Sequence, residues 1–165
     1  MNFNIECIHY QDTERIGSIF EHLSFLRSEY PNFALWFQGK VLPGLESGNR
    51  QIYVATTPTN PSELAGILIL KNELYEKKVC TLCVFPKYQK QHIGTKLLHL
   101  AIDILQVSHP LITASSTYKN EYSSLFKKFG FSCFASYCNY YQANSIEYSY
   151  NSPIERNSLG DVVNG

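Results

Sequence analysis

The chain has 165 residues, of which 44% are hydrophobic and 17% are charged. This predicts a single globular domain whose core needs no disulfide or metal. Fourteen Lys and Arg residues balance fourteen Asp and Glu residues, so the chain lacks the positive charge of a non-specific nucleic-acid binder. No apolar run approaches the roughly 18 residues that span a bilayer, and the first residues do not resemble a secretory signal. We therefore expect a cytoplasmic protein with free cysteines and with neither nucleic-acid nor membrane partners.

Taken in chain order, the apolar spacing predicts alternating strands and helices. Strands are predicted at 2–10, 51–57, 64–71, 77–85, 111–115, 132–141 and 146–151. Helices are predicted after a cap at Asp12 or Thr13, briefly after Pro31 before a long loop, over 94–105, and from near Asn120 to Gly130. This order predicts an α/β or α+β domain over 1–151, with a mixed sheet and helices on its faces. A polar tail is expected over 152–165.

The segment after the strand at 77–85 carries the clearest chemical signal. Pro86 ends a nearly continuous apolar strand, which is typical of a strand covered on both faces. A short polar loop then leads into a helix near Gly94. Loop N–H groups and a helix N-terminus together form an anion site, and a glycine lets a phosphate approach the backbone closely. An ordinary strand-to-helix turn is the alternative on this geometry alone.

Two motifs resemble those of the GNAT superfamily of acyl-CoA-dependent N-acetyltransferases. The stretch Gln89-Lys-Gln-His-Ile-Gly94 is similar to the family's Arg/Gln-x-x-Gly-x-Gly/Ala loop. It departs from that loop at His92, where the family has its first glycine. Leu125-Phe-Lys-Lys-Phe-Gly-Phe131 is similar to the family's Leu-Tyr-x-x-x-Gly-Phe. Phe126 stands where many members of the family have a tyrosine.

This resemblance covers nearly the whole chain and implies a fold and an activity. The fold would be a GNAT-like mixed and mostly antiparallel sheet, flanked by helices, with splayed central strands. The activity would be transfer of an acetyl group from acetyl-CoA, as co-substrate and without a metal, to a primary amine of a small molecule or peptide. The amine would attack directly in a ternary complex. The alternative is a non-catalytic acyl-CoA-binding or interaction module on the same fold; a homodimer is left open.

The resemblance also implies where acetyl-CoA would bind. The pantetheine would pair with the backbone of one strand, the pyrophosphate would lie on the N–H groups of the loop, and the last helix would contact the cofactor. The residues expected to bind it are Leu82, Cys83, Val84, Gln89, Lys90, Gln91, His92, Ile93, Gly94, Thr95, Lys96, Asn120, Ser123 and Phe126.

Proton transfer involves a base and an acid, and the sequence offers candidates for each role. Glu76 precedes the central strand, where the family often has a carboxylate base, and Glu73 is the alternative. Both could equally be solvated turn residues. Tyr122 lies one helical turn before Phe126 and shares its face, so it could protonate the leaving thiolate. A thiol pKa near 8.5 also allows the thiolate to leave without a dedicated acid.

The Cys80-x-x-Cys83 pair has the spacing of some zinc sites. Residues three apart in a strand point to opposite faces, so we predict structural thiols rather than a metal site. Cys133 and Cys138 are likewise predicted to fill the core. The aromatic cluster of Tyr30, Phe33, Trp36 and Phe37 either covers a face of the sheet or, on the resemblance, borders the acceptor side of the cleft.

Overall fold

One seven-stranded sheet organises the protein, whose computed structural model describes residues 2–154. The tail predicted over 152–165 therefore lies outside the described residues from position 155 onward. The strand order is β1-β2-β3-β4-β5-β7-β6. All neighbours are antiparallel except β4 and β5, which run parallel, so the mixed, mostly antiparallel sheet is confirmed. The strands are β1 (Asn4–Cys7), β2 (Arg50–Thr57), β3 (Asn60–Asn72), β4 (Lys77–Val84), β5 (Leu111–Ser115), β6 (Cys133–Cys138) and β7 (Ile146–Tyr150).

Helices cover both faces of this sheet. The α-helices are α1 (Thr13–His22), α2 (Phe33–Trp36), α3 (Leu42–Ser47), α4 (Ile93–Leu105) and α5 (Lys119–Lys128). The predicted cap of α1 is confirmed, because the Asp12 carboxylate accepts from the Arg15 N–H at 3.2 Å. Within the described part of the chain, none of the helices has the length and apolar character to cross a bilayer.

The region predicted as a long loop before β2 is helical instead. A π-helical turn (Phe37–Val41) joins α2 to α3, and the helical backbone continues to Ser47. Pro43 lies in the first turn of α3, directly after the π-helical turn. Gly44 packs directly on the side chain of Arg50 rather than forming a turn. Of the three glycines in this region, only Gly48, with φ at 86°, adopts a left-handed conformation, and it ends the helix.

The sheet is buried on both faces, as the apolar strands predict. Leu68 and Leu70 of β3 pack in the cluster that holds α4, whereas Ile67 and Ile69 pack in the cluster that holds α1 and α2. The two clusters lie on opposite faces because side chains alternate along a strand. The cleft described below opens in the part of the sheet that lies between them.

All five cysteines are free thiols, as predicted. Cys83 is buried in β4, and the Arg50 guanidinium donates to the Cys80 sulfur at 3.1 Å. The prediction that Cys133 and Cys138 fill the core is wrong, since both are exposed. They lie at the two ends of β6, which is an edge strand whose side chains are mostly accessible to solvent.

Candidate active site

A cleft opens in the sheet where β4 and β5 part. The two strands pair only at Lys78 with Leu111 and at Val79 with Ile112, and they separate toward their carboxyl ends. On the other side of β4, Cys80 is an extra residue between the pairs that Val79 and Thr81 make with β3. Such a bulge bends the strand and increases its twist. The cleft measures about 590 Å³, which is the size of a small-molecule site.

Three walls surround this cleft. The first is β4 and the turn after it, and the second is formed by β5 and the start of α5. The third consists of mostly aromatic and apolar side chains from α1, α2 and the segment between them, together with one tyrosine that follows β6. The residues of the third wall are His22, Phe25, Leu26, Tyr30, Phe33, Trp36 and Tyr141.

The backbone between β4 and α4 has the shape expected of an anion-binding loop. A 3-10 turn (Pro86–Tyr88) follows the strand, and α4 begins at Ile93. The first N–H groups of a helix have no acceptor within the helix, so they can bind an anion. His92 caps α4 with φ at 64°, a left-handed conformation. The histidine that replaces the glycine of the family's loop thus keeps a backbone shape that glycine favours.

The Gln89 side chain ties this loop to both β4 and α5. The Gln89 side-chain amide donates to the Val84 carbonyl at 3.3 Å and to the Glu121 carboxylate at 3.0 Å. A Cβ at Gly94 would lie 3.4 Å from Leu125 Cδ2 and 3.6 Å from Val84 Cγ2. The open side of Gly94 therefore faces the gap between β4 and α5.

The residues predicted to bind the cofactor fall into three groups. Leu82, Cys83, Val84 and Gln89 line the cleft. The loop and helix start beside it comprise Lys90, Gln91, His92, Ile93, Gly94, Thr95 and Lys96. Ile93 has its side chain in the core, so only its backbone is available.

The remaining three of these residues, on α5, do not line the cleft. Asn120 and Ser123 are exposed on the helix, and Phe126 is buried edge-on against Tyr150 with ring centroids 4.6 Å apart.

The two candidates for proton transfer differ in their positions. Tyr122 lines the cleft, and its hydroxyl donates to the Leu82 carbonyl at 2.6 Å. Burial raises the pKa of Tyr122 far above its ordinary value, so the hydroxyl stays protonated at neutral pH. Glu76 is in the turn before β4, where its carboxylate is 3.0 Å from Lys71 Nζ, and it is not among the residues that line the cleft. Glu73 lies 3.7 Å from the same ammonium.

A buried carboxylate beneath the cleft was missed in the sequence. Glu147 of β7 is only 3% exposed and lies opposite Ser115 of β5. The Tyr30 hydroxyl lies 3.1 and 3.3 Å from its two oxygens. Burial raises the pKa of Glu147 to about 7, although hydrogen bonds from Thr113 and Tyr30 act in the opposite direction. The signal available was a carboxylate at the second position of the strand predicted over 146–151.

Other polar groups of the cleft are also buried. Lys78 is 3% exposed, and burial lowers the pKa of its ammonium. Two buried polar atoms, Trp36 Nε1 and Ser115 Oγ, have no hydrogen-bond partner among the described residues. Both side chains line the cleft, where a bound molecule could pair with them.

Comparison with known proteins identifies several solved structures that share this fold. The NatC complex bound to Gag peptide and CoA matches at 17% identity, with a TM-score of 0.73, over 91% of this chain and 97% of that one. NAA60 from Arabidopsis thaliana in complex with acetyl-CoA matches at 16% identity, with a TM-score of 0.67, over 90% and 97%. An aminoglycoside 6'-N-acetyltransferase complexed with coenzyme A matches at 12% identity, with a TM-score of 0.63, over 94% and 99%.

These structural matches, at low sequence identity, show a shared fold alone, and the family is shown by a match of the sequence. No curated protein matches the chain. A family model described as an acetyltransferase (GNAT) domain matches residues 48–133. That segment is more than half of the chain and contains both strands that border the cleft, the loop before α4, and α5. The chain therefore belongs to the GNAT acetyltransferase family.

Proposed function

We propose that this protein transfers an acetyl group from acetyl-CoA to a primary amine, by direct attack in a ternary complex. One observation carries the proposal: a single cleft extends from the region of the loop before α4, near Gln89 and Glu121, to the aromatic wall that contains Tyr30 and Trp36. Two substrates that enter from opposite ends can meet between the parted strands.

The coenzyme would occupy the end of the cleft near α4. The N–H groups of residues 89–95 would hold the pyrophosphate, and the lysines at 87, 90 and 96 would add positive charge. The backbone of β4 beyond Val79 has no pairing with β5, so its polar groups can bind the pantetheine amides. The Leu82 carbonyl already accepts from Tyr122, but a carbonyl oxygen can accept a second hydrogen bond. The acetyl-CoA and CoA complexes among the structures of the same fold support this assignment.

The chemistry follows from positioning and proton transfer. The amine nitrogen attacks the thioester carbonyl, a C–N bond forms, and the C–S bond breaks as the thiolate leaves. A strand N–H would stabilise the oxyanion that develops on the carbonyl oxygen. Tyr122 is the nearest candidate for the acid that protonates the thiolate, because its protonated hydroxyl lines the cleft beside Leu82.

The acceptor would enter along the aromatic wall. The amine of a peptide or of a small molecule can reach the parted strands from this side, and both kinds of acceptor are named among the proteins of similar fold. The partnerless Trp36 Nε1 and Ser115 Oγ would pair with polar groups of the bound substrates.

Initial rates of CoA release, measured while acetyl-CoA and an amine are both varied, test the mechanism. Direct attack predicts intersecting lines in double-reciprocal plots. Parallel lines would reveal a covalent acetyl-enzyme and would contradict it. A protein that binds acetyl-CoA in calorimetry but releases no CoA with any amine would instead be the binding module that is the alternative function.

A further inference from the structure

We propose that Glu147 and Tyr30 form the ammonium site for the acceptor, in which the Tyr30 hydroxyl contacts the amine and Glu147 receives the proton through it. The site selects an acceptor with one positive charge and an apolar body. This inference rests on the transfer reaction proposed above, because an acetyltransferase must deprotonate its amine before attack.

The geometry places a carboxylate just below the aromatic wall. Tyr30 lies between α1 and α2 and lines the cleft, whereas Glu147 lies on β7 and does not. The two side chains are in direct contact, because the Tyr30 hydroxyl donates a hydrogen bond of 3.1 Å to the Glu147 carboxylate. Glu147 therefore reaches a substrate through Tyr30, which makes Tyr30 the catalytic residue and Glu147 the positioning residue.

A proton can pass along this hydrogen bond without leaving charge on the tyrosine. An ammonium N–H donates to Tyr30 Oη, which takes the proton as its own proton moves to Glu147. The neutral amine then attacks the thioester, and its second proton leaves with the sulfur as the CoA thiol. Glu147 returns its proton to water after turnover, so each cycle releases one proton in addition to CoA and the acetylated amine.

The surroundings of Glu147 suit this role. Lys78 from β4 and Glu29, the neighbour of Tyr30, act on its charge, and Tyr137 of β6 lies opposite it. Burial raises the pKa of Glu147 to about 7, so the carboxylate can accept a proton near neutral pH. Burial also raises the pKa of Tyr30 well above its usual value, so the phenol transmits a proton and does not store one.

The composition of the cleft indicates the kind of acceptor. Among the described residues that line it, Glu121 is the only acidic one, and its carboxylate binds Gln89 at the coenzyme end. The acceptor end instead presents rings and aliphatic side chains, with the buried ammonium of Lys78 nearby. A second positive charge on the acceptor would lose its hydration there without finding a carboxylate. Monoamines with an aromatic or aliphatic body are therefore favoured over diamines.

The test measures kcat/KM for phenethylamine by CoA release between pH 5 and 8.5. In the wild type, kcat/KM should rise with pH and level off above about 7, because the carboxylate of Glu147 must be ionised. Glu147→Gln and Tyr30→Phe should each lower the plateau by about 10²-fold or more, and the rise with pH should disappear in Glu147→Gln. Glu147→Asp, which keeps a carboxylate, should keep the rise. 1,4-Diaminobutane should be a poorer acceptor than phenethylamine.

Matched controls separate these effects from general damage. Glu14→Gln and Tyr75→Phe alter exposed side chains and should keep the wild-type profile. His22→Asn removes the histidine of the third wall and should keep the rise with pH. All variants should bind acetyl-CoA with the wild-type Kd in calorimetry, which shows that the coenzyme site remains folded.

Three outcomes would overturn the ammonium site. One is a rise of kcat/KM with pH that persists in Glu147→Gln and disappears in Glu76→Gln, which would identify Glu76 as the group that accepts the amine proton. Another is a preference for the diamine. If the wild type releases no CoA with any amine, the proposed reaction fails, and binding decides this inference alone. Phenethylamine should then bind Glu147→Gln at least about 10-fold more weakly than wild type, and equal affinity would contradict the site.

Discussion

At the scale of single residues, the left-handed backbone of His92 shows why glycine suits this position of the family's loop. Its φ of 64° costs an ordinary L-residue about 1–2 kcal/mol relative to the right-handed region. Lys90 is similarly left-handed at φ 60°. The loop keeps its shape because α4 and the sheet hold its two ends. The strain arises because His92, a residue with a Cβ, occupies a left-handed position.

Replacement of His92 by glycine should relieve this strain. We expect the free energy of unfolding to rise by about 0.5–1 kcal/mol, since the entropy of glycine in the unfolded chain offsets part of the gain. His92→Val should lower it by about 1–2 kcal/mol, because a β-branched residue fits this conformation poorly. Urea denaturation at pH 7 measures both changes. Equal stability of the two variants would show that the left-handed conformation is not retained in solution.

Glu147 should make stability depend on pH. Its pKa is raised from 4.5 to about 7 in the folded protein. Between these two values the folded state binds more protons than the unfolded state, so this group lowers the free energy of unfolding as the pH rises. Below pH 4.5 Glu147 does not change the free energy of unfolding with pH, and above about pH 7 the decrease that it causes is complete.

Glu147→Gln should therefore be more stable than wild type at pH 8, by about 3 kcal/mol at most, and little different at pH 4.5. Denaturation of both proteins in urea at the two pH values gives the comparison, and Glu14→Gln serves as the matched exposed control. A difference between Glu147→Gln and wild type that stays the same at both pH values would contradict the buried, protonatable carboxylate. Lower activity with higher stability is the combination that we expect of a residue kept for function.

At the scale of elements, β4, the loop after it and α4 form one functional unit. The strand ends at Val84, the 3-10 turn follows at Pro86, and Gly94 lies in the first turn of α4. Gly94 leaves space between Val84 and Leu125, and a Cβ added at this position would make ordinary van der Waals contacts with both side chains. Its role in the proposed site is thus to keep the gap between β4 and α5 open at the coenzyme end.

Gly94→Val should fill this gap and weaken acetyl-CoA binding at least about 10-fold, because steric exclusion from a close backbone approach removes several hydrogen bonds. Calorimetry with acetyl-CoA measures the change. Gly17→Val is the matched control, since Gly17 is also helical and has open space around it. An unchanged Kd for Gly94→Val would remove the α4 start from the coenzyme site.

The elements that the sequence predicts well are those with local signals. The stripe of α4, the cap of α1 and the apolar run of β4 are all visible in neighbouring residues, and the structure confirms them. Residues 33–47 were predicted in part as a loop because Pro43 and two glycines normally interrupt helices. In the structure the helical backbone continues through all three, and Gly44 packs on the side chain of Arg50. Glu147 could not be assigned because its burial depends on β7 lying between β5 and β6.

At the scale of the whole molecule, the site depends on long-range contacts. Tyr30 and Glu147 are 117 residues apart in sequence and meet beneath the cleft. The parting of β4 from β5 opens the sheet between the two hydrophobic clusters, so coenzyme and acceptor can approach from different ends. The fold thereby brings the loop before α4 and Tyr30, which is hydrogen-bonded to the buried carboxylate, to one cleft, as the proposed acetyl transfer requires.

The most direct test of acetyl transfer is the stoichiometry of the products. Wild-type protein is incubated with acetyl-CoA and phenethylamine, and CoA and N-acetylphenethylamine are quantified together by mass spectrometry. The proposed transfer predicts equal amounts of the two products, formation that requires the amine, and less of both products with Gly94→Val at subsaturating acetyl-CoA. CoA release at the same rate without an amine, or release of CoA with no acetylated amine from any member of an amine panel, would contradict it.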